Sequence, residues 1–445
     1  MERDLQTAAT ELLRQLIRFD TVNPPGNERE AQEHLLGYLT GAGFECELLG
    51  ATHERPNLVA RLRGPQAPRA EPVVGPTLCL LGHVDTVLAH AEEWTHDPWS
   101  GDVADGFLWG RGALDMKSQV AAEIAAAVSL ARSGWRPARG ELLICAVVDE
   151  ETGGDLGARW ITETHPDKVR CDYVLNEGGG PFFEYGGTRR YGVCCAEKGV
   201  FRFKLVTDGV AGHASLPKMG DNALLKLGPL LERLGARQPS YAITDVPAAF
   251  LRGLGEDPDD PGGAVARLHA ADPRLATMFE PMLGVTFTPT RAAASEKVNV
   301  IPSRAEIHVD CRVPPGLGAD EVRRAIAEVL GSDGSGEDGF AVEFTEQVVG
   351  NGSPLDSPLR AAIDGWIAEH DPGAATVPVI LPGFTDSRHF RNAFPDCVAY
   401  GFFPHKHQSL LEAAPLVHGA DERIDVRDLG YAAQFYADVA RALLG

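Results

Sequence analysis

Histidines and carboxylates recur where apolar runs of this chain stop. LLGHVDTV ends one run with His83 and Asp85, two residues apart and so on one side of a strand. GRGALDMK sets Asp115 in a glycine-rich loop ahead of a helical stretch, and AVVDEETGG closes another run with Asp149, Glu150 and Glu151. VLNEGGG supplies Glu177, and VHGADERI carries His418. Taken singly, a His or Asp at a strand end is an ordinary loop hydrogen-bonder, and paired acids make an ordinary solvated turn. As a set, imidazole and carboxylate donors suit borderline divalent cations such as Zn²⁺, Co²⁺ or Mn²⁺. One Asp could bridge two ions with a His and a Glu on each, leaving one carboxylate over. Glu150 and Glu151 cannot face the same way from extended backbone, so one as ligand and the other as general base would fit.

Such positions need a scaffold that gathers strand ends. Leu5, Ala8, Leu12, Leu13, Leu16 and Ile17 keep a helical apolar stripe, NPPGNE (23–28) breaks it, and residues 29–41 resume helical spacing. The runs FECELL, NLVARL, TLCLLGHVD, ELLICAVVD and DYVLNE then interleave with helical stretches such as 118–133. The fold class this predicts is α/β: a mixed, mostly parallel sheet with helices on both faces and sites at the carboxyl ends of its strands. Near residue 196 the pattern changes. GVFRFKLVTDG, DNALLKLGPLLERLG, KVNVIP, RAEIHVDCRV, ADEVRRAIAEVL and FAVEFTEQ read as an α+β unit in β-α-β-β-α-β order. The expected organisation is a discontinuous domain over 1–195 and 350–445, interrupted by a smaller domain over 196–349. Residues 236–283, rich in Pro, Gly and Asp, are expected to form surface loops with a short helix.

The chain has 445 residues, 63 acidic and 41 basic, for a formal charge of −22. A surface this acidic repels phosphate backbones and anionic lipids, so neither nucleic acid nor a membrane is an expected partner. No run approaches the ~18–20 apolar residues of a membrane span, and the start MERDLQ lacks the apolar core of a signal peptide. Eight scattered cysteines without a CxxC support neither a zinc ribbon nor a redox pair; reduced, mostly buried thiols in a cytoplasmic protein are expected. GSGEDG (334–339) has the form GxGxxG but follows a helix and precedes a strand, the reverse of a dinucleotide fold. No G-x-S-x-G occurs, so a serine nucleophile has no support. HKH (405–407) could form a metal patch, and reads more readily as a polar loop.

The stretches GHVDTV, WTHDPWSGDVADGFLWGRGALDMK, DEETGG, NEGG, GHASLP, VNVIPSRAEIHVDCRVPPG and HGADERI are spread along most of the chain, from residue 82 to 424. Their order, and spacings of 32, 35 and 26 residues (83–115, 115–150, 151–177), resemble one dinuclear zinc amidohydrolase and metallopeptidase family. Its members include acetylornithine deacetylase, succinyl-diaminopimelate desuccinylase, aminoacylase and carboxypeptidase G.

The resemblance implies one metal on His83, Asp115 and Glu177 and a second on Asp115, Glu151 and His418. Zinc is expected first, with cobalt or manganese as alternatives. Glu150 takes the general-base role, Asp85 orients the His83 imidazole, and Asp115–Met116 is expected to be a cis peptide. The inserted domain resembles the family's lid and homodimer interface, whose His213 would reach a neighbouring subunit's site and polarise the scissile carbonyl. Asn299 and Arg312 match positions that hold a substrate carboxylate. Arg388 in GFTDSRHF matches a substrate-side loop, or is structural. The implied reaction is hydrolysis of an amide bond beside a free carboxylate, in an N-acyl amino acid or short peptide. Glu at 177 favours deacylases and carboxypeptidases, since dipeptidase and tripeptidase branches carry Asp there. A dipeptidase is the alternative enzyme. A non-catalytic metal-binding homologue would have lost a ligand or the base, and none is missing.

Overall fold

The computed structural model describes residues 2–64, 75–336 and 338–445; Glu337 of GSGEDG lies outside them. The chain forms two compact units. The first comprises Met1–Cys195, Ser353–Val379 and Thr385–Gly445, the second Ala196–Gly352 and Ile380–Phe384.

In the first unit the strands lie in the order Glu45–Leu49, Asn57–Arg63, Glu141–Val147, Thr77–His83, Tyr173–Asn176, Val398–Gly401 and Thr188–Glu197. The four central strands are mutually parallel, and the flanking pairs are antiparallel. Thr77–His83 and Glu141–Val147 are buried at every residue, which is why their sequences are near-continuous apolar runs. Alternate residues serve opposite cores. Leu78, Leu80, Leu142 and Ile144 join the cluster that includes residues of helices Glu2–Ile17, Lys117–Arg132 and Val426–Leu444. Cys79, Leu81, Leu143 and Cys145 join a second cluster with Ile161 and Phe390 of the helices Ala158–Thr164 and Ser387–Ala393. Helices therefore cover both faces, as the α/β expectation requires. The alanine-rich helix Lys117–Arg132 is buried over nearly its whole circumference, because small side chains let the sheet and two helices close on it. Seven of the eight cysteines are buried, and none forms a disulfide.

The second unit is a β-sheet backed by helices. Arg304–Val313 alternates partly exposed and buried positions and pairs with Phe203–Asp208 on one side and Thr286–Ala293 on the other. Leu230, Leu234, Val322 and Ile326, from the helices Gly228–Ala236 and Ala319–Leu330, fill its buried face.

Two expectations need correction here. KVNVIP does not supply the strand adjoining Arg304–Val313. Only Val300–Ile301 is extended, and it pairs with Gly212–His213 in a separate two-stranded sheet. The adjoining strand is Thr286–Ala293, whose polar, mostly exposed residues and irregularity near Pro289 hide it from an apolar-alternation reading. Nor is 236–283 mainly loops: Asp245–Leu254, Pro261–Ala271 and Pro273–Phe279 are helices. Two of the three Asp-Pro pairs there, at Asp260 and Asp272, start helices rather than break them. Asp260 accepts from Gly263 N–H and Asp272 from Arg274 N–H, each with Pro in the first turn. Phe250 and Phe279 pack 4.9 Å apart beneath them.

Candidate active site

Three neighbouring strands deliver chemistry to one rim of the first unit. His83 ends the central one, in register with Val147 on the next strand. Beyond Val147, Asp149 takes a left-handed conformation (φ 71°) and turns the chain into the short 3-10 turn Glu150–Thr152. Asp149 is held by Arg55 Nη1 (2.9 Å), Thr152 Oγ1 (2.7 Å) and Leu156 N–H (2.9 Å). The turn separates the two acids: Glu150 Oε2 lies 3.9 Å from His83 Nε2, and Glu151 Oε2 lies 3.2 Å from His418 Nε2. Tyr173–Asn176 runs out into Glu177, whose Oε1 is 3.8 Å from His83 Nε2.

Asp115 stands between the two imidazoles. Its Oδ1 is 3.1 Å from His83 Nε2 and its Oδ2 is 3.1 Å from His418 Nε2. The Asp115–Met116 peptide is cis, as expected. Asp85 is fully buried beneath this layer. Its carboxylate lies 3.5 Å from His83 Nδ1 and accepts from Asn23 Nδ2 at 2.8 Å and from the N–H groups of Glu150 and Glu151, each at 3.2 Å.

The electrostatics are those of a site short of positive charge. Burial, with Asp386, Asp115 and Glu151 adding to it and His83 opposing, pushes Glu150 well above the usual carboxylate range. Burial, Asp115 and Glu150 do the same to Glu177. Burial also acts on Asp115, but hydrogen bonds from His418 and His83 outweigh it and hold it low. Bonds to Asp115 and Glu151 push His418 up to about 10. His83 is raised too, its Asp115 and Asp85 bonds overcoming burial.

Among the described residues, two triplets have donor atoms within 4.8 Å of one another: His83, Asp115 and Glu177, and Asp115, Glu151 and His418. Both mix imidazole with carboxylate and contain no thiolate, a donor set that fits Zn²⁺, Co²⁺ or Mn²⁺. Divalent cations would take the place of the protons that this cluster otherwise retains. The residues present thus fit a pair of ions sharing Asp115.

Three of the remaining candidates belong to the second unit and one to the first. His213 and Asn299 belong to the second unit, brought together where Gly212–His213 pairs with Val300–Ile301 and Ala214 N–H donates to Asn299 O at 3.1 Å. His213 Nδ1 lies 3.2 Å from Ser215 N–H and 2.7 Å from Ser215 Oγ. Arg312, also there, is paired with Asp310 at 2.7 Å. Arg388 belongs to the first unit and donates to Gly153 O at 2.9 Å, beside the Glu150–Thr152 turn.

Sequence reasoning missed the residues that hold the site from behind. Asn23 was hidden in NPPGNE, read only as a helix breaker, although it bridges Asp85 and Asp149. Glu422, four positions past His418, accepts backbone N–H groups of the loop carrying Asp115. Asp386, buried in GFTDSRHF, adds its negative charge to the surroundings of Glu150 and Glu177.

Residues 79–442 match the family model described as peptidase family M20/M25/M40. A probable carboxypeptidase S-like 2 of Dictyostelium discoideum is 26% identical over 378 residues, 81% of this chain and 70% of that relative. The succinyl-diaminopimelate desuccinylase of Burkholderia ambifaria is 26% identical over 447 residues, 98% of this chain and 100% of the relative. Among solved structures, the M20 family metallo-carboxypeptidase Sso-CP2 from Sulfolobus solfataricus shares the fold, with a TM-score of 0.66 at 17% identity over 98% of this chain and 99% of that one. The chain belongs to peptidase family M20/M25/M40, and it is a metallohydrolase of that family.

Proposed function

We propose that this enzyme hydrolyses an amide bond beside a free carboxylate, as an N-acyl-amino-acid deacylase or a carboxypeptidase. The observation that carries the reading is Asp115 set between His83 and His418, with Glu150 beside it. His83, Asp115 and Glu177 would hold one divalent cation, and Asp115, Glu151 and His418 the other, zinc being the first candidate. When bound, such ions polarise a carbonyl and acidify water near neutral pH.

Glu150 then acts as the general base, taking the water's proton and passing it to the leaving nitrogen. Its burial among carboxylates, which favours the protonated form, suits it to keep that proton between the two transfers. Asp85 keeps His83 oriented through Nδ1. His213 is assigned to the developing oxyanion, and Asn299, Arg312 and Arg388 to the substrate's carboxylate side. The second unit serves as a lid and homodimer contact. Val210, Leu216, Met219 and Leu225 are exposed on it, which supports an interface with a second copy. Among the described residues no helix is long and apolar enough to cross a membrane; a cytoplasmic location is part of the proposal.

The test is a panel of N-acetyl and N-succinyl amino acids, carboxypeptidase peptides and dipeptides, assayed with Zn²⁺, Co²⁺ and Mn²⁺. Turnover of the first two groups supports the reading. Turnover of dipeptides alone makes the enzyme a dipeptidase, and no turnover of any refutes the proposed reaction.

A further inference from the structure

Behind the Asp115 and His418 side chains lies an ion pair between residues 311 positions apart, Arg111 and Glu422. Arg111 is 3% exposed and Glu422 fully buried, with Nη1 and Oε2 at 2.7 Å. Each partner then reaches a different ligand-bearing loop. Glu422 Oε1 accepts from Leu114 N–H at 2.6 Å and Asp115 N–H at 3.1 Å, and Oε2 also accepts from Gly112 N–H at 3.2 Å. Arg111 Nη2 donates to the carbonyl of His418 at 3.3 Å and to that of Leu88 at the same distance. His418 itself holds a left-handed backbone (φ 59°), a conformation disfavoured for a residue with a Cβ unless its surroundings impose it.

We infer that Arg111 and Glu422 are positioning residues that set the separation of Asp115 and His418, and that Arg111 governs the second cation position selectively. This rests on the proposed ligand assignment. An ion pair serving only stability needs no contact with either ligand's backbone; this one touches both. The division of labour follows from the contacts. Glu422 fixes the loop of Asp115, which both triplets share, whereas Arg111 alone reaches the backbone of His418, which only one triplet uses. A lysine at 111 keeps a positive charge against Glu422 but has one ammonium in place of the guanidinium fork, so it cannot span Glu422 and the His418 carbonyl in the same way.

The experiment titrates the metal-free full-length chain with Zn²⁺ by calorimetry, with circular dichroism and thermal melting of each variant. Wild type is expected to take two equivalents and His418→Ala one. If either fails, the ligand assignment falls and this inference with it. Arg111→Lys is expected to bind the first equivalent as wild type does and the second about tenfold or more weakly, as losing an outer support does elsewhere. Glu422→Gln is expected to weaken both. Two wild-type affinities in folded Arg111→Lys would overturn the inference. So would equal weakening of both sites in step with a lowered melting temperature, which marks a merely structural pair. Should Glu422→Gln not fold, Arg111→Lys alone decides.

Discussion

The carboxylate of Asp85 accepts the backbone N–H of Glu151 at 3.2 Å. One buried side chain thus holds the turn bearing the general-base candidate and one proposed ligand, while its carboxylate also faces the imidazole of another. Asp85→Ala removes the carboxylate from both, leaving the Asp85 carbonyl, 3.0 Å from His83 Nδ1, as the remaining hold on the ring. Zn²⁺ affinity should fall about 10–100-fold, read by competition with a chromophoric chelator, with little change in the far-ultraviolet spectrum.

Glu150→Gln keeps the size of the side chain and removes its basicity. Metal content should stay at the wild-type level while kcat falls by about 10²–10⁴. Stoichiometry by mass spectrometry and turnover on the best substrate check both halves; unchanged turnover would sink the assigned base.

Metal loading should release protons. In the metal-free chain, His418 titrates at about 10 because Asp115 and Glu151 stabilise its imidazolium, so at pH 7 a cation must displace that proton. Apparent affinity should rise with pH through the neutral range, and calorimetric heats should vary with the buffer's ionisation enthalpy. The same shift affects stability. Because the folded value lies above the ordinary value of about 6.5, this imidazolium stabilises the metal-free chain fully below that pH. The contribution should fade towards pH 10, visible as a falling melting temperature for wild type but less so for His418→Ala.

Arg55 neutralises Glu28 at 2.6 Å and Asp149 at 2.9 Å in an almost solvent-free pocket. Arg55→Met should cost about 3–5 kcal/mol, the usual penalty for stranding buried charge. Urea unfolding of the metal-free protein measures it, and adding Glu28→Gln should restore part of the loss.

His213→Ala should lower kcat about 10²–10³-fold if the ring meets the oxyanion, with sedimentation behaviour unchanged. A variant that only alters the oligomer would assign His213 to the interface instead.

Much of the scaffold was legible because burial on both faces writes itself into composition. TLCLLGHVD and ELLICAVVD read as strands since their successive apolar residues each have a core to join. Most cation-binding candidates were legible for the complementary reason: His83, Glu151 and Glu177 are polar residues at or just past the ends of apolar strands. Thr286–Ala293 was not, because a mostly exposed strand carries little apolar signal. The helices after Asp260 and Asp272 were hidden by residues that serve equally as turn formers and helix caps. Asn23, Arg111 and Glu422 were hidden for another reason: their partners are distant in sequence, and no local spacing links positions 111 and 422.

The parallel strands ending at His83, Val147 and Asn176 also act as a ruler. Across the sheet its graduation is the strand spacing of ~4.8 Å, and along each strand about 3.3 Å per residue. Deleting one residue inside any of the three would draw its terminal group back by one graduation and turn it to the opposite face. The connecting loops have no such graduation. Length variation in this enzyme should therefore be tolerated between these strands and lethal to catalysis within them, so a scan of single-residue insertions would trace the ruler directly.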